Sequence, residues 1–342
     1  MHSHHNDWTS RRIELVCGVS TLPALRAAVD NGASRVSFGI NHPKAAQKHL
    51  HALSVGEAAT GIRYAHAQGV RTALTVDIYP QESSIAECRS VVDAASDLGA
   101  DAIELADVGL MQYASSTYPS LPLHLSARAA SANPAAIAFH REHFAVKRAV
   151  LPAMFTLEQI GHLAQTTPVE LEVHVYGEPC VMAEGHCALS SYVTGSARST
   201  TGVCTPAGTV SWNRTCEGLE CRVNDVLVDR YGPHEIVAPP TPCSGRYEVA
   251  GRTYHAFEEA ARLDALELLP ALARMGIAAV RVAGRRGDVP HLSQVTRIWR
   301  DAIDMCRQDP ARCGWVSELA LVLRRLSEGR LQPANAQYTR GR

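Results

Sequence analysis

The sequence predicts a (β/α)8 barrel carrying one long insertion. Three observations lead there: short apolar runs alternate with amphipathic helical stretches, the runs recur at a steady pitch, and about ninety residues are left over. The predicted strands start near Ile13, Ser34, Arg71, Ala100, Pro122, Lys147 and Val169, between 21 and 37 residues apart. Alternating βα units of this length imply a parallel sheet. A barrel of this kind needs about 250 residues, fewer than the 342 present. A doubly wound sheet is the competing architecture, but the first turn, Val16-Cys17-Gly18-Val19-Ser20, has no Gly-x-Gly-x-x-Gly fingerprint.

Helical patterns fill the gaps at Leu22–Asn31, Val55–Gln68, Ser84–Leu98, Asn133–Phe144 and Leu157–Gln165. Gly32, Gly69 and Gly99 end the first three, where a left-handed cap is expected. The seventh strand, Val169 to Tyr176, alternates apolar and polar residues, unlike a strand buried on both faces. The eighth, Ala278 to Gly284, begins more than a hundred residues later. Helices seven and eight are expected at Ala256–Met275 and Pro290–Arg307. The domain reading is a disordered tail over 1–10, bearing His2, His4 and His5, then a barrel over 11–310, with the insertion at 178–254 and a C-terminal extension at 311–342.

Four of the ten cysteines lie in the insertion beside glycine or proline: Glu178-Pro179-Cys180, Gly185-His186-Cys187, Gly202-Val203-Cys204-Thr205-Pro206 and Pro242-Cys243-Ser244-Gly245. Glycine permits close backbone approach to a sulfur, and proline stiffens the presenting loop. Separations of 7, 17 and 39 residues fit no zinc finger or ribbon, whose ligands come in close pairs. Four thiolates are what a [4Fe–4S] cluster requires, so Cys180, Cys187, Cys204 and Cys243 are read as its ligands, with scattered structural cysteines as the alternative. Loops after barrel strands emerge where barrel enzymes do their chemistry, so the cluster is expected at the barrel mouth. Cys17, Cys88 and Cys306 are read as packing residues, and Cys216 and Cys221 as members of a hairpin.

Composition narrows the class. No apolar run is long enough to span a bilayer, and the first residues lack a secretory signal core. Ten cysteines without such a signal point to the reducing cytoplasm. The formal net charge of −1 supplies no global field for nucleic acid.

The strings Glu14-Leu15-Val16-Cys17-Gly18, Leu22-Pro23-Ala24-Leu25-Arg26-Ala27-Ala28-Val29-Asp30-Asn31-Gly32-Ala33, Val150-Leu151-Pro152, Glu184-Gly185-His186-Cys187-Ala188-Leu189-Ser190-Ser191-Tyr192, Asn224 to Tyr231 and Leu266-Glu267-Leu268-Leu269-Pro270 resemble the collagenase-like peptidase family U32. The likeness runs from about Glu14 to about Pro310 and is strongest to the UbiU-like branch, iron–sulfur proteins of anaerobic ubiquinone biosynthesis. The resemblance implies one [4Fe–4S] cluster on the four cysteines, a UbiV-like iron–sulfur partner in a heterodimer, and hydroxylation of an aromatic small molecule without dioxygen, with a prephenate-like oxygen donor. Other members hydroxylate RNA bases, so an RNA-base hydroxylase is one alternative and a non-catalytic iron–sulfur scaffold subunit another. No serine, cysteine or zinc protease constellation supports true peptidase activity.

The chain departs from the family pattern at Asn41 to Lys48, including Gln47, where relatives carry Asn-Ala-Arg, at Arg128 for glutamine, and at Ala283 for glutamate. Three candidate catalytic residues follow. Arg128 is placed to hold a carboxylate, or else to be a salt-bridged rim residue; Arg285, beside Arg286, follows strand eight, where barrels bind anions. His186 adjoins Cys187, where it would donate to a sulfur or move a proton, against the plainer reading of a surface histidine. Glu184, Tyr176, Glu258 and Glu259 are further mouth candidates, and Asp77 and Asp107 are read as helix caps.

Overall fold

The computed structural model describes residues 13–41, 52–129, 133–178, 180, 182–235, 237, 241–257, 262–283, 289–308, 314–326 and 331–333. Eight parallel strands of the ten-stranded main sheet form the barrel: β1 Glu14–Gly18, β2 Arg35–Phe38, β3 Arg71–Val76, β4 Ala102–Leu105, β5 Leu123–Leu125, β6 Arg148–Leu151, β7 Glu170–Gly177 and β8 Ala279–Ala283. Each pairs with its chain neighbour, and β8 pairs with both β7 and β1, closing the barrel. The expected fold class is the one found.

The helices are α1 Leu22–Asp30, α2 Val55–Ala67, α3 Ile85–Asp97, α4 Val108–Thr117, α5 Pro134–Phe144, α6 Leu157–Thr166, α7 Leu269–Arg274 and α8 Val289–Gln308. Local chemistry sets their starts. Ser54 with Glu57 and Thr156 with Gln159 form reciprocal capping boxes, and Asn133 accepts from the Ala136 amide. Gly32, Gly69 and Gly99 have the positive φ expected of them. Outward strand residues such as Leu15, Val36, Leu74, Ile103 and Leu125 pack with Leu25, Ile62, Val92, Leu110, Trp299 and others into one continuous core.

One expectation is corrected. Helix seven does not run over 256–275: a strand at Arg262–Asp264, a 3-10 turn at Leu266–Leu268 and the short α7 take its place. That strand pairs antiparallel with the end of β7, and the Asp264 carboxylate accepts from the Leu266 amide, so sheet pairing overrides the helical pattern. The C-terminal extension supplies a further helix, α9 Gly314–Leu326, and a strand, Leu331–Pro333, parallel to Arg262–Asp264.

The chain divides into two compact units, one comprising 1–179 with 262–342 and the other 180–261. The second contains a three-stranded antiparallel sheet (Val210–Thr215, Gly218–Val223, Val226–Tyr231), a hairpin (Arg246–Val249, Arg252–His255) and a short helix, Ala188–Thr194. Val193, Val223 and Val228 make its small core. Among the described residues no helix is long and apolar enough to cross a membrane.

Candidate functional site

The four flagged cysteines all belong to the second unit. Cys187 is buried; Cys180, Cys204 and Cys243 are partly exposed. Burial pushes the Cys243 thiol above its ordinary range, Thr241 offsets this by donating to the sulfur, and charge on Cys204, Cys180 or Cys187 raises it further. Cys243 thus lies within electrostatic range of each of the other three. Among the described residues, no three His, Cys, Asp or Glu side chains converge tightly enough to hold a metal ion.

The loops that present these sulfurs are tied together. Cys187 caps the helix Ala188–Thr194, its Sγ accepting from the Ser190 amide at 3.3 Å. Ser190 Oγ in turn donates to the Cys204 carbonyl at 2.6 Å. The Cys243 turn is held by Tyr247, whose hydroxyl donates to the Pro242 carbonyl at 2.6 Å, and by His255 against the Ser244 carbonyl at 3.2 Å. A Cβ at Gly245 would stand 2.3 Å from the Val228 carbonyl oxygen, so the glycine here allows a backbone crossing. Arg198, 3% exposed, points Nη1 at the Cys180 sulfur from 3.6 Å. Sequence reasoning missed Arg198 and Ser190; the only signal was their position between flagged cysteines.

His186 is exposed, with Nδ1 3.3 Å from the Glu184 carbonyl. Arg285, with Arg286, Gln47, Glu258 and Glu259, lies outside the described residues. Arg128 follows β5, nearly buried, with Nε 3.0 Å from Asp77 and Nη1 donating to the Asp77 carbonyl at 3.3 Å. The salt-bridged reading is the one the geometry gives. Asp77 is thereby a partner of Arg128 and not a helix cap, whereas Asp107 caps α4 through the Leu110 amide as expected. At the same C-terminal end, the Tyr176 hydroxyl lies 3.0 Å from His291 Nε2. Ala283 packs on Gly177, where an added Cβ would approach its methyl to 2.7 Å.

The barrel interior holds a constellation that the sequence analysis did not assemble. Arg281 on β8 pairs with Glu104 on β4 at 2.5 Å and with Glu172 on β7. Arg148 on β6 meets Glu172 at 3.3 Å, Glu14 at 3.1 Å and Glu170 at 2.6 Å, and Arg35 meets Glu14 at 3.3 Å. Burial alone would raise the Glu172 pKa, but Arg281 and Arg148 outweigh it and bring the value to about 2. Glu104 is raised, because burial and the charge on Glu172 outweigh its arginine. Burial, with Arg148 and Arg35, drives His124 well below its ordinary value, so the ring is neutral at pH 7. This ionic plug explains the polar alternation of β7.

Cys17, Cys88, Cys306, Cys216 and Cys221 follow expectation, and Cys313 lies outside the described residues. Burial pushes Cys17 up to about 12, and Cys88 and Cys221 to about 11, so these three stay as thiols. Cys216 sits exposed in the turn between two strands of a hairpin.

The family profile described as Peptidase family U32 matches residues 20–339. The chain is 26% identical over 312 residues to the tRNA hydroxylation protein P of Escherichia coli, covering 85% of this chain and 68% of that protein. It is 27% identical over 301 residues to an uncharacterized protease of Methanocaldococcus jannaschii, covering 85% and 65%. It is 22% identical over 296 residues to the 23S rRNA 5-hydroxycytidine C2501 synthase of Escherichia coli, covering 86% and 40%. The chain thus spans about two thirds of the first two relatives.

Proposed function

Because the chain belongs to peptidase family U32, we propose that it is an oxygen-independent hydroxylase of a planar ring, holding a [4Fe–4S] cluster on Cys180, Cys187, Cys204 and Cys243. The observation that carries this reading is that Cys243 lies within electrostatic range of Cys180, Cys187 and Cys204, all four from separate loops of one unit. Sulfur ligands suit iron–sulfur chemistry, and the Ser190 amide and Arg198 guanidinium supply the hydrogen bonds to sulfur that such centres use. A bound cluster would supply one-electron redox capacity.

The chain's own residues would do the rest. Ser190 holds the Cys187 and Cys204 loops together, and Tyr247 holds the Cys243 turn. In the barrel unit, the Arg128–Asp77 and Tyr176–His291 pairs offer polar contacts at the strand ends where barrel enzymes bind substrates.

The substrate we favour is an RNA base, supported by the two Escherichia coli relatives named for tRNA and rRNA hydroxylation. The second reading is the ring of a quinone precursor, with a prephenate-like donor and a UbiV-like partner. The net charge of −1, which gives no overall attraction for phosphate, favours that reading. Deleting the gene and analysing nucleosides and quinone intermediates by mass spectrometry separates the two. Loss of a hydroxylated nucleoside supports the first, accumulation of an under-hydroxylated ring acid or quinone precursor supports the second, and neither change contradicts both.

A further inference from the structure

We propose that the C-terminal half of the barrel is a hollow that takes one planar ring bearing an exocyclic oxygen, with Arg281 as its donor. This deepens the hydroxylase reading above and rests on it. Strand alternation fixes what faces inward, because Cys17, Phe38, Leu74, Leu105 and Leu125 pack outward into the core. The upper inward positions are then Gly18, Ser37, Gly39, Thr75, Ala106 and Ser126. A filled barrel carries bulky branched aliphatics in its inner layers, and none of these six is larger than threonine. A Cβ added at Gly18 would meet only the Val282 carbonyl oxygen at 3.7 Å and the Ala283 Cα at 3.9 Å. Those are ordinary contacts, so close packing does not require the glycine. Eight strands enclose space enough for side chains or for one small ligand, and here the side chains are missing.

Solvent already enters that space. Thr75 and His174 face inward and are partly exposed, whereas their outward neighbours Leu74, Val76, Val173 and Val175 are buried. Arg281 lies midway along β8 and is 9% exposed, between the fully covered Val280 and Val282. On its N-terminal side Arg148, 2% exposed and tied to Glu14, Glu170 and Glu172, shuts the barrel. Arg281 is therefore reached from the C-terminal strand ends and forms the floor of the hollow. Glu104 and Glu172 take three of its five N–H groups, leaving two to meet an oxygen acceptor. His124 faces the same interior in register with Glu104, is 4% exposed, and has no hydrogen-bond partner at Nδ1. Buried polar atoms are otherwise paired, so this layer is complete only with an occupant.

The test uses the full-length chain as wild type, Gly18→Ala and Gly18→Leu. Saturation-transfer NMR is recorded with millimolar uracil and with p-hydroxybenzoate, and thermal melting is followed on each protein. The expected result is transfer to at least one ring in wild type and Gly18→Ala. Gly18→Leu should lose it while melting no lower than wild type, because its side chain fills the space the ring needs. The probe that binds tells a nucleobase from a ring acid. Three results overturn the proposal: wild type binding neither ring, Gly18→Leu binding as wild type does, or Gly18→Leu melting well below wild type, which marks a packed interior. Iron and sulfide content of the same samples after reconstitution reports on the hydroxylase reading separately. A cluster without ring binding overturns the hollow alone, and ring binding without a cluster leaves the hollow standing and overturns the reading it rests on.

Discussion

Arg281 and Glu104 meet across the inside of the barrel, Nη2 to Oε2 at 2.5 Å, although three strands separate β8 from β4 around the wall. The same guanidinium holds Glu172, so one cation satisfies two buried carboxylates. Arg281→Met should leave both carboxylates short of their partner and cost about 3–5 kcal/mol. Denaturant titration followed by far-UV circular dichroism measures this; a loss under about 1 kcal/mol would show that the pairs carry little of the barrel's stability.

Acid should loosen the same network. The Glu172 pKa falls from 4.5 unfolded to about 2 folded, so its contribution is complete above about pH 4.5 and disappears as pH drops towards 2. Glu14, held below its ordinary value by Arg148 and Arg35 against the cost of burial, acts in the same direction. Glu104, raised, opposes them, since its contribution is present at low pH and lost as pH rises through its folded value. Two lowered carboxylates against one raised predict a denaturation midpoint that declines from pH 5 to pH 3. A midpoint flat or rising over that range would contradict the assignment.

Gly245 offers a test of the Cys243 turn. Its φ of −71° is open to any residue, so the constraint is space against the Val228 carbonyl. Gly245→Ala should displace the turn, cost about 1–3 kcal/mol in the second unit, and lower iron retention after reconstitution. Limited proteolysis should then cut within 180–261 and spare the barrel. Unchanged iron content and protection would mean that the turn absorbs the methyl without moving Cys243.

Burial and the Ser190 contacts make Cys187 the centre's most embedded sulfur. Cys187→Ala should abolish iron binding. The barrel's thermal transition should stay within a few degrees of wild type, because the substitution falls in the other unit. A barrel that melts with the variant would show that the two units are one cooperative body.

Much of this architecture was legible. Strand starts predicted near Ile13, Ser34 and Arg71 lie within a residue of β1, β2 and β3, because βα pitch is a local signal. Helix seven was not legible. Its apolar pattern over 256–275 conceals a strand whose partner is β7, and Pro270 at the start of α7 was the overlooked stop sign. The interior ion plug was visible only as an oddity of β7: alternate Glu170 and Glu172 make sense once Arg148 and Arg281 are seen opposite them. Arg198 and Asp77 illustrate the same limit, since each is defined by a partner 18 or 51 residues away in the chain.

The most direct test is anaerobic purification and reconstitution of the wild-type chain, with iron, sulfide and zinc measured together and the visible spectrum recorded. The account predicts about four irons and four sulfides per chain with broad absorbance near 400 nm. One zinc per chain, or no metal after reconstitution, would contradict it.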